Sequence, residues 1–90
     1  MLRLKLTAEY SEDLNKLIAN NVDLAPLNYV IGLLQNEKEL NPIYKDHALR
    51  NRLSQYRECH IEDDWLLIYR VEHRVLHLIT TGSHSDFFDK

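Results

Sequence analysis

The chain has 90 residues, of which 44% are hydrophobic and 28% charged, with two glycines, two prolines and one cysteine. That length allows a single domain, residues 1–90, around one modest core, and the composition excludes disordered, fibrous and disulfide-stapled chains. The formal net charge of -3 is uneven: residues 1–40 carry four basic and six acidic groups, residues 41–60 four and two, and residues 61–90 three and six. The middle segment, with Lys45, Arg50, Arg52 and Arg57, is therefore where a phosphate backbone would be met if the substrate is a nucleic acid; charge alone favours the simpler reading of a solvated surface.

Residues 2 to 6 alternate Leu, Arg, Leu, Lys, Leu, the period-2 signature of a half-buried strand. The same alternation is too strict for a signal peptide. No run approaches the roughly 20 apolar residues of a membrane span, so the expectation is a cytoplasmic protein with no membrane partner. From Thr7, a capping residue, the period becomes helical through Tyr10, Leu14, Leu17 and Ile18, and Asn20-Asn21 can end the helix. A second helix is expected from Asp23, with Pro26 in its first turn, through Leu27, Val30, Ile31 and Leu34 toward Glu37. The short link implies an antiparallel helical hairpin.

Asn41-Pro42 breaks that pattern, and residues 43 to 52 read as a loop carrying Tyr44 and His47. Period 2 returns in a strand at about 53 to 61. Glu62-Asp63 then leads into Trp65 to Val71, whose unbroken apolar character predicts a central strand buried on both faces. After a turn at Glu72-His73-Arg74, Val75 to Thr80 makes another strand, Thr81-Gly82-Ser83 reads as a turn, and His84 to Phe88 as a final short element. The expected class is α+β: one strand, a two-helix hairpin, then an antiparallel sheet of three to four strands with one face open.

In such a meander the hairpin turns bring His60, Asp64 and His84 to one edge of the sheet, with Trp65 beside them and His47 near enough to join. Imidazole exchanges a proton near neutral pH, so histidines gathered with a carboxylate suggest general acid/base chemistry. The less favoured reading is that His60 simply alternates outward from its strand with no chemical role. Arg57 shares strand parity with Cys59 and Ile61, which predicts a stem on the core and a head paired to a carboxylate. His73 reads as a turn residue, His77 as a sheet-surface residue and Cys59 as a small buried hydrophobe; Trp65 suits packing as well as a site. The five histidines lack helical i, i+4 or Cys/His zinc spacing, so neither metal nor cofactor is expected.

The runs Tyr44-Lys45-Asp46-His47-Ala48-Leu49, Arg57-Glu58-Cys59-His60-Ile61, Asp64-Trp65-Leu66-Leu67-Ile68-Tyr69 and Thr81-Gly82-Ser83-His84-Ser85, with Phe88 following, resemble the YafQ branch of the RelE/ParE toxin superfamily. The resemblance implies a RelE-like, microbial-ribonuclease-like fold and a type II toxin. It further implies an endoribonuclease that cuts messenger RNA in the ribosomal A site and is held by a cognate antitoxin, in a heteromeric complex with an antitoxin dimer. Metal-free RNA cleavage needs a deprotonated 2′-OH, a stabilised phosphate and a protonated leaving oxygen. Carried over by motif, His84 is the general acid, while His47, His60 and Asp64 share the base and orienting roles. Lys45, Arg52 and Arg57 are implied as phosphate contacts, and Trp65 and Phe88 as residues that shape or stack on a base.

The chain departs from the family pattern at Thr80, where an arginine usually precedes the Thr-Gly-Ser/Thr-His motif, and this implies weakened cleavage. The antitoxin would cover the basic middle segment and the open sheet face. The alternative function is a degenerate or non-nucleolytic toxin that acts by binding a target protein, as the ParE branch does, or that binds only its antitoxin.

Overall fold

A computed structural model describes residues 1–83. In chain order the elements are β1 (Arg3–Leu6), α1 (Ala8–Ala19), α2 (Ala25–Gln35), β2 (His47–Ala48), β3 (Arg57–Glu62), β4 (Trp65–Glu72) and β5 (Val75–Ser83), with short 3-10 turns at Pro42–Tyr44 and Asn51–Leu53. The five strands form one sheet in the order β1-β5-β4-β3-β2. The class is the expected α+β, but the sheet is mixed, because β1 joins β5 in parallel while all other pairs are antiparallel.

The helix boundaries follow from capping. Thr7 lies extended and its hydroxyl accepts the Tyr10 N–H at 3.0 Å, which starts α1 as expected, and Asn20 ends it. Asp23 precedes α2 instead of opening it, and its carboxylate accepts the Ala25 N–H at 3.0 Å. Leu27, Val30, Ile31 and Leu34 form one buried stripe at helical spacing. They pack with Tyr10, Cys59, Leu67, Tyr69, Leu76 and Leu78 in a core on one face of the sheet. Each such side chain contributes roughly 1.5–3 kcal/mol of transfer free energy.

Four sequence readings are corrected. First, β1 is an exposed edge strand, not a half-buried one: Leu4 and Leu6 remain 43% and 44% exposed, while Leu2, just before it, is buried. Second, residues 43–52 contain a strand as well as loop, because His47 and Ala48 pair with Glu58 and Arg57. Third, β3 starts at Arg57, since Asn51–Leu53 coils into a 3-10 turn.

Fourth, Thr81-Gly82-Ser83 continues β5 and does not turn, pairing with Leu67, Leu66 and Trp65. A bulge makes this possible. Ile68 pairs with Thr80 but Tyr69 with Leu78, so Ile79 is an extra residue and Thr81, not Gly82, falls in line with the core. Burial of the central strand on both faces holds for Leu66 and Leu67, and fades by Val71, which is 50% exposed.

Beyond Leu6 the edge of β5 has no strand neighbour among the described residues, and α1 covers it. Thr7 donates its N–H to the Leu78 carbonyl and its hydroxyl to that of Ile79, at 3.1 and 2.6 Å. Asp13 accepts from the Thr80 hydroxyl at 2.5 Å and the Thr81 N–H at 3.2 Å. The edge is thus closed against pairing with another chain.

Candidate active site

Strand β3 divides its motif by parity. Cys59 and Ile61 turn into the core with the stem of Arg57, whereas Glu58 and His60 stand on the opposite face. Glu58 is only 6% exposed, and it sits between His47 on β2 and Ile68 on β4. A carboxylate this buried needs partners. It has two imidazoles: Nε2 of His60 lies 3.5 Å and Nε2 of His47 3.6 Å from the same oxygen, Oε1.

His47 is fixed at its other nitrogen too. Its Nδ1 lies 2.6 Å from the Lys45 carbonyl, and because a carbonyl only accepts, Nδ1 is the donor. Lys45 adopts the left-handed backbone conformation (φ 52°), closing the 3-10 turn and aiming that carbonyl back at the ring. Neutral His47 therefore presents Nε2 as its proton-accepting nitrogen, directed at Glu58. Once protonated, the ring forms an ion pair with that carboxylate.

Behind this cluster, on the helix side, lies a second carboxylate. Asp46 accepts from the Tyr69 hydroxyl at 2.6 Å and from Arg57 Nε at 3.2 Å, both at Oδ1, and so ties the segment before β2 to β3 and β4. Burial, reinforced by the bond to Asp46, holds the Tyr69 phenol well above its ordinary range. For Arg57, burial acts to lower the pKa, but the bonds to Asp46 and Tyr69 outweigh it and the guanidinium ends above its usual value. Burial also pushes the Cys59 thiol up to about 12, with the charges of Asp46 and Glu58 adding to the effect. Cys59 is thus an inert core thiol.

The remaining candidates are placed as follows. Asp64 lies in the β3–β4 turn and, with Glu62, Asp63 and Trp65, lines an open hollow at that end of the sheet. Trp65 is 8% exposed, belongs to the core and donates its indole N–H to Thr81 at 2.9 Å. At that burial it presents no open stacking face. Lys45 and His60 share the wall of a hollow of about 270 Å³ with Tyr44 and Asp63. Arg52 is exposed in its 3-10 turn, and Arg57, although paired, keeps 43% of its side chain accessible. Ser83 pairs with Trp65 at this same end. His84 and Phe88 lie outside the described residues.

Glu58 lies within the Arg57–Ile61 run but is not among the residues expected at the site. Its signal was the spacing: on a strand, positions 58 and 60 share a face. Thr80, at the position of the missing arginine, is buried and engaged with Asp13. Among the described residues, no group of three or more His, Cys, Asp or Glu is arranged to hold a metal ion.

Residues 2–89 match the family model of the YafQ bacterial toxin of type II toxin-antitoxin systems. The mRNA interferase toxin YafQ of Escherichia coli K12 is 34% identical over 86 residues, covering 94% of each chain. A copper-bound mutant toxin from Helicobacter pylori superposes with a TM-score of 0.93 at 41% identity, over 98% of this chain and 100% of the other. The Escherichia coli DinJ-YafQ complex gives 0.88 at 31% identity, over 98% and 99%. The chain belongs to the YafQ family of type II toxin-antitoxin toxins.

Proposed function

We propose that this toxin is an mRNA interferase, a ribosome-dependent endoribonuclease that inhibits translation by metal-free acid/base cleavage of messenger RNA. The observation that carries the reading is one buried carboxylate oxygen within 3.6 Å of the Nε2 atoms of two histidines. His47 or His60 takes the 2′-OH proton, and Glu58 stabilises the imidazolium as it forms. The 2′ oxygen bonds to phosphorus, the bond from phosphorus to the 5′ oxygen breaks, and His84 supplies the proton to that leaving oxygen. Lys45, Arg52 and the accessible part of Arg57 offset charge on the phosphate. Asp64 orients groups at the turn, Trp65 supports the floor, and Phe88 stacks on a base.

The name of the Escherichia coli relative, mRNA interferase, supports RNA as the substrate. The DinJ-YafQ complexes support a cognate antitoxin as partner, and the assembly we propose is one with an antitoxin dimer. A ribosomal target places the protein in the cytoplasm, and among the described residues no helix is long and apolar enough to cross a membrane. Thr80 makes cleavage slower than an arginine there would allow, so Thr80→Arg raises the rate.

Induced expression in bacteria of the wild type, His84→Ala and Glu58→Gln, read by growth and by primer extension on an abundant message, tests the proposal. Growth arrest with in-frame cuts by the wild type alone supports it. Silence from all three, or arrest without cuts, assigns the chain to the non-nucleolytic alternative.

A further inference from the structure

The sheet face that carries Glu58 holds a second row of polar side chains one step along the strands. Lys5 on β1 pairs with His77 on β5, and His77 pairs with Arg70 on β4. The three stand side by side across neighbouring strands. Tyr56, just before β3, extends the row, its ring centroid 5.8 Å from the Arg70 guanidinium carbon. Arg70 is two residues from Ile68, the partner of Glu58, so the row runs beside the imidazole cluster at about 7 Å, on the same face.

The row is cationic and short of acceptors. Lys5 is exposed. Arg70 has one ion pair, Nη2 to Glu72 at 2.9 Å, and its buried Nε–H has no hydrogen-bond partner among the described residues. A guanidinium carries five donors, and a buried donor left unmet is destabilising, so a further acceptor is favoured here. No apolar side chain interrupts Lys5, His77, Arg70 and Tyr56. That argues for a polyanion over a protein segment, whose interfaces centre on apolar anchors.

We propose that this row is the track on which an RNA sugar-phosphate backbone passes the Glu58 cluster, with Lys5 and Arg70 contacting phosphates and Tyr56 holding Arg70 in place. The inference rests on the ribonuclease reading and assigns a path for its substrate. The RNA is either the message itself or ribosomal RNA flanking it, and the phosphate chemistry is common to both.

The test measures equilibrium binding of the full chain to a single-stranded RNA bearing 2′-O-methyl groups throughout, which cannot be cut, and separately to vacant ribosomes. Wild type is compared with Lys5→Ala, Arg70→Gln, Arg70→Lys and, as a control on α1, Lys16→Ala. Lys5→Ala and Arg70→Gln are expected to weaken binding about fivefold each and to lower the salt dependence by about one phosphate contact. Arg70→Lys retains part of the affinity and Lys16→Ala all of it. Loss on the oligonucleotide assigns the track to the message, and loss on ribosomes alone assigns it to ribosomal RNA. Lys5 is exposed, so its variant keeps the test decisive if Arg70→Gln misfolds. Unchanged RNA binding by the row variants overturns the track while leaving the ribonuclease reading intact, and so does a loss confined to antitoxin binding. A wild type that neither binds nor cuts any RNA overturns both.

Discussion

Asp46 and Glu58 each engage two partners, on opposite sides of the same sheet, and only one pair of partners can do chemistry near neutral pH. Asp46 holds Tyr69 and Arg57, whose pKa values are both displaced upward, so neither exchanges a proton there. Glu58 holds two histidines, the residue type suited to acid/base work. The first cluster ties strands together, and the second is the one the proposed acid/base reaction would use. The lesson is that parity within Arg57-Glu58-Cys59-His60 sends alternate residues of a single strand to two different clusters.

The sharpest way to break this comparison is to exchange charge for shape at each carboxylate. Glu58→Gln is expected to lower single-turnover cleavage on programmed ribosomes by about 100-fold or more, with its thermal melt retained. Asp46→Asn should lose well under ~10-fold in the same assay, because its partners do not turn over protons. Equal losses would mean that both clusters act in the reaction. On stability the order reverses. Asp46→Ala leaves the Tyr69 hydroxyl without its acceptor and is expected to cost about 2 kcal/mol in urea unfolding, more than Glu58→Gln.

Raised pH probes the helix side as a whole. Cys59 and Tyr10 each have a folded-state pKa of about 12, against ordinary values of 9.0 and 10.0. In both, burial is the leading cause. A group raised in this way binds its proton more tightly when folded, so its stabilisation is complete below pH 9 and is lost as pH climbs toward 12. Cys59 alone should account for a fall of about 2 kcal/mol between pH 8 and 11, and the pH profile of Cys59→Ala should be correspondingly flatter.

The smallest effect tests whether stability and activity separate. His73 and Arg74 both adopt positive φ, 53° and 62°, in the two-residue turn joining β4 and β5, a conformation that suits glycine. Arg74→Gly should stabilise the fold by about 1 kcal/mol and leave cleavage unchanged.

The helices and the three long strands were legible because each carries enough residues to display a period. Thr7 capped where expected, and Leu27, Val30, Ile31 and Leu34 formed the predicted stripe. β2 was not legible: two residues have no periodicity, yet they are what carries His47 to Glu58. Nor could local alternation reveal that β1 pairs in parallel with a strand about 70 residues later. Gly82 read as a turn signal but pairs with Leu66 inside β5, where its lack of a side chain serves the strand. The pairing of Arg57 was readable from parity, whereas recognising Glu58 required its two histidines to be seen on either side.

That early-to-late pairing has a consequence for how the protein is made. The Thr7 hydroxyl bonds a carbonyl 72 residues away, and among the described residues β1 pairs only with β5, so a growing chain cannot pair its first strand until β5 has been synthesised. Native structure should therefore appear in one late step, and stalled chains ending at residue 74 should remain protease-sensitive while full-length released chains resist. A toxin of this fold would then complete its native sheet only after β5 has left the ribosome.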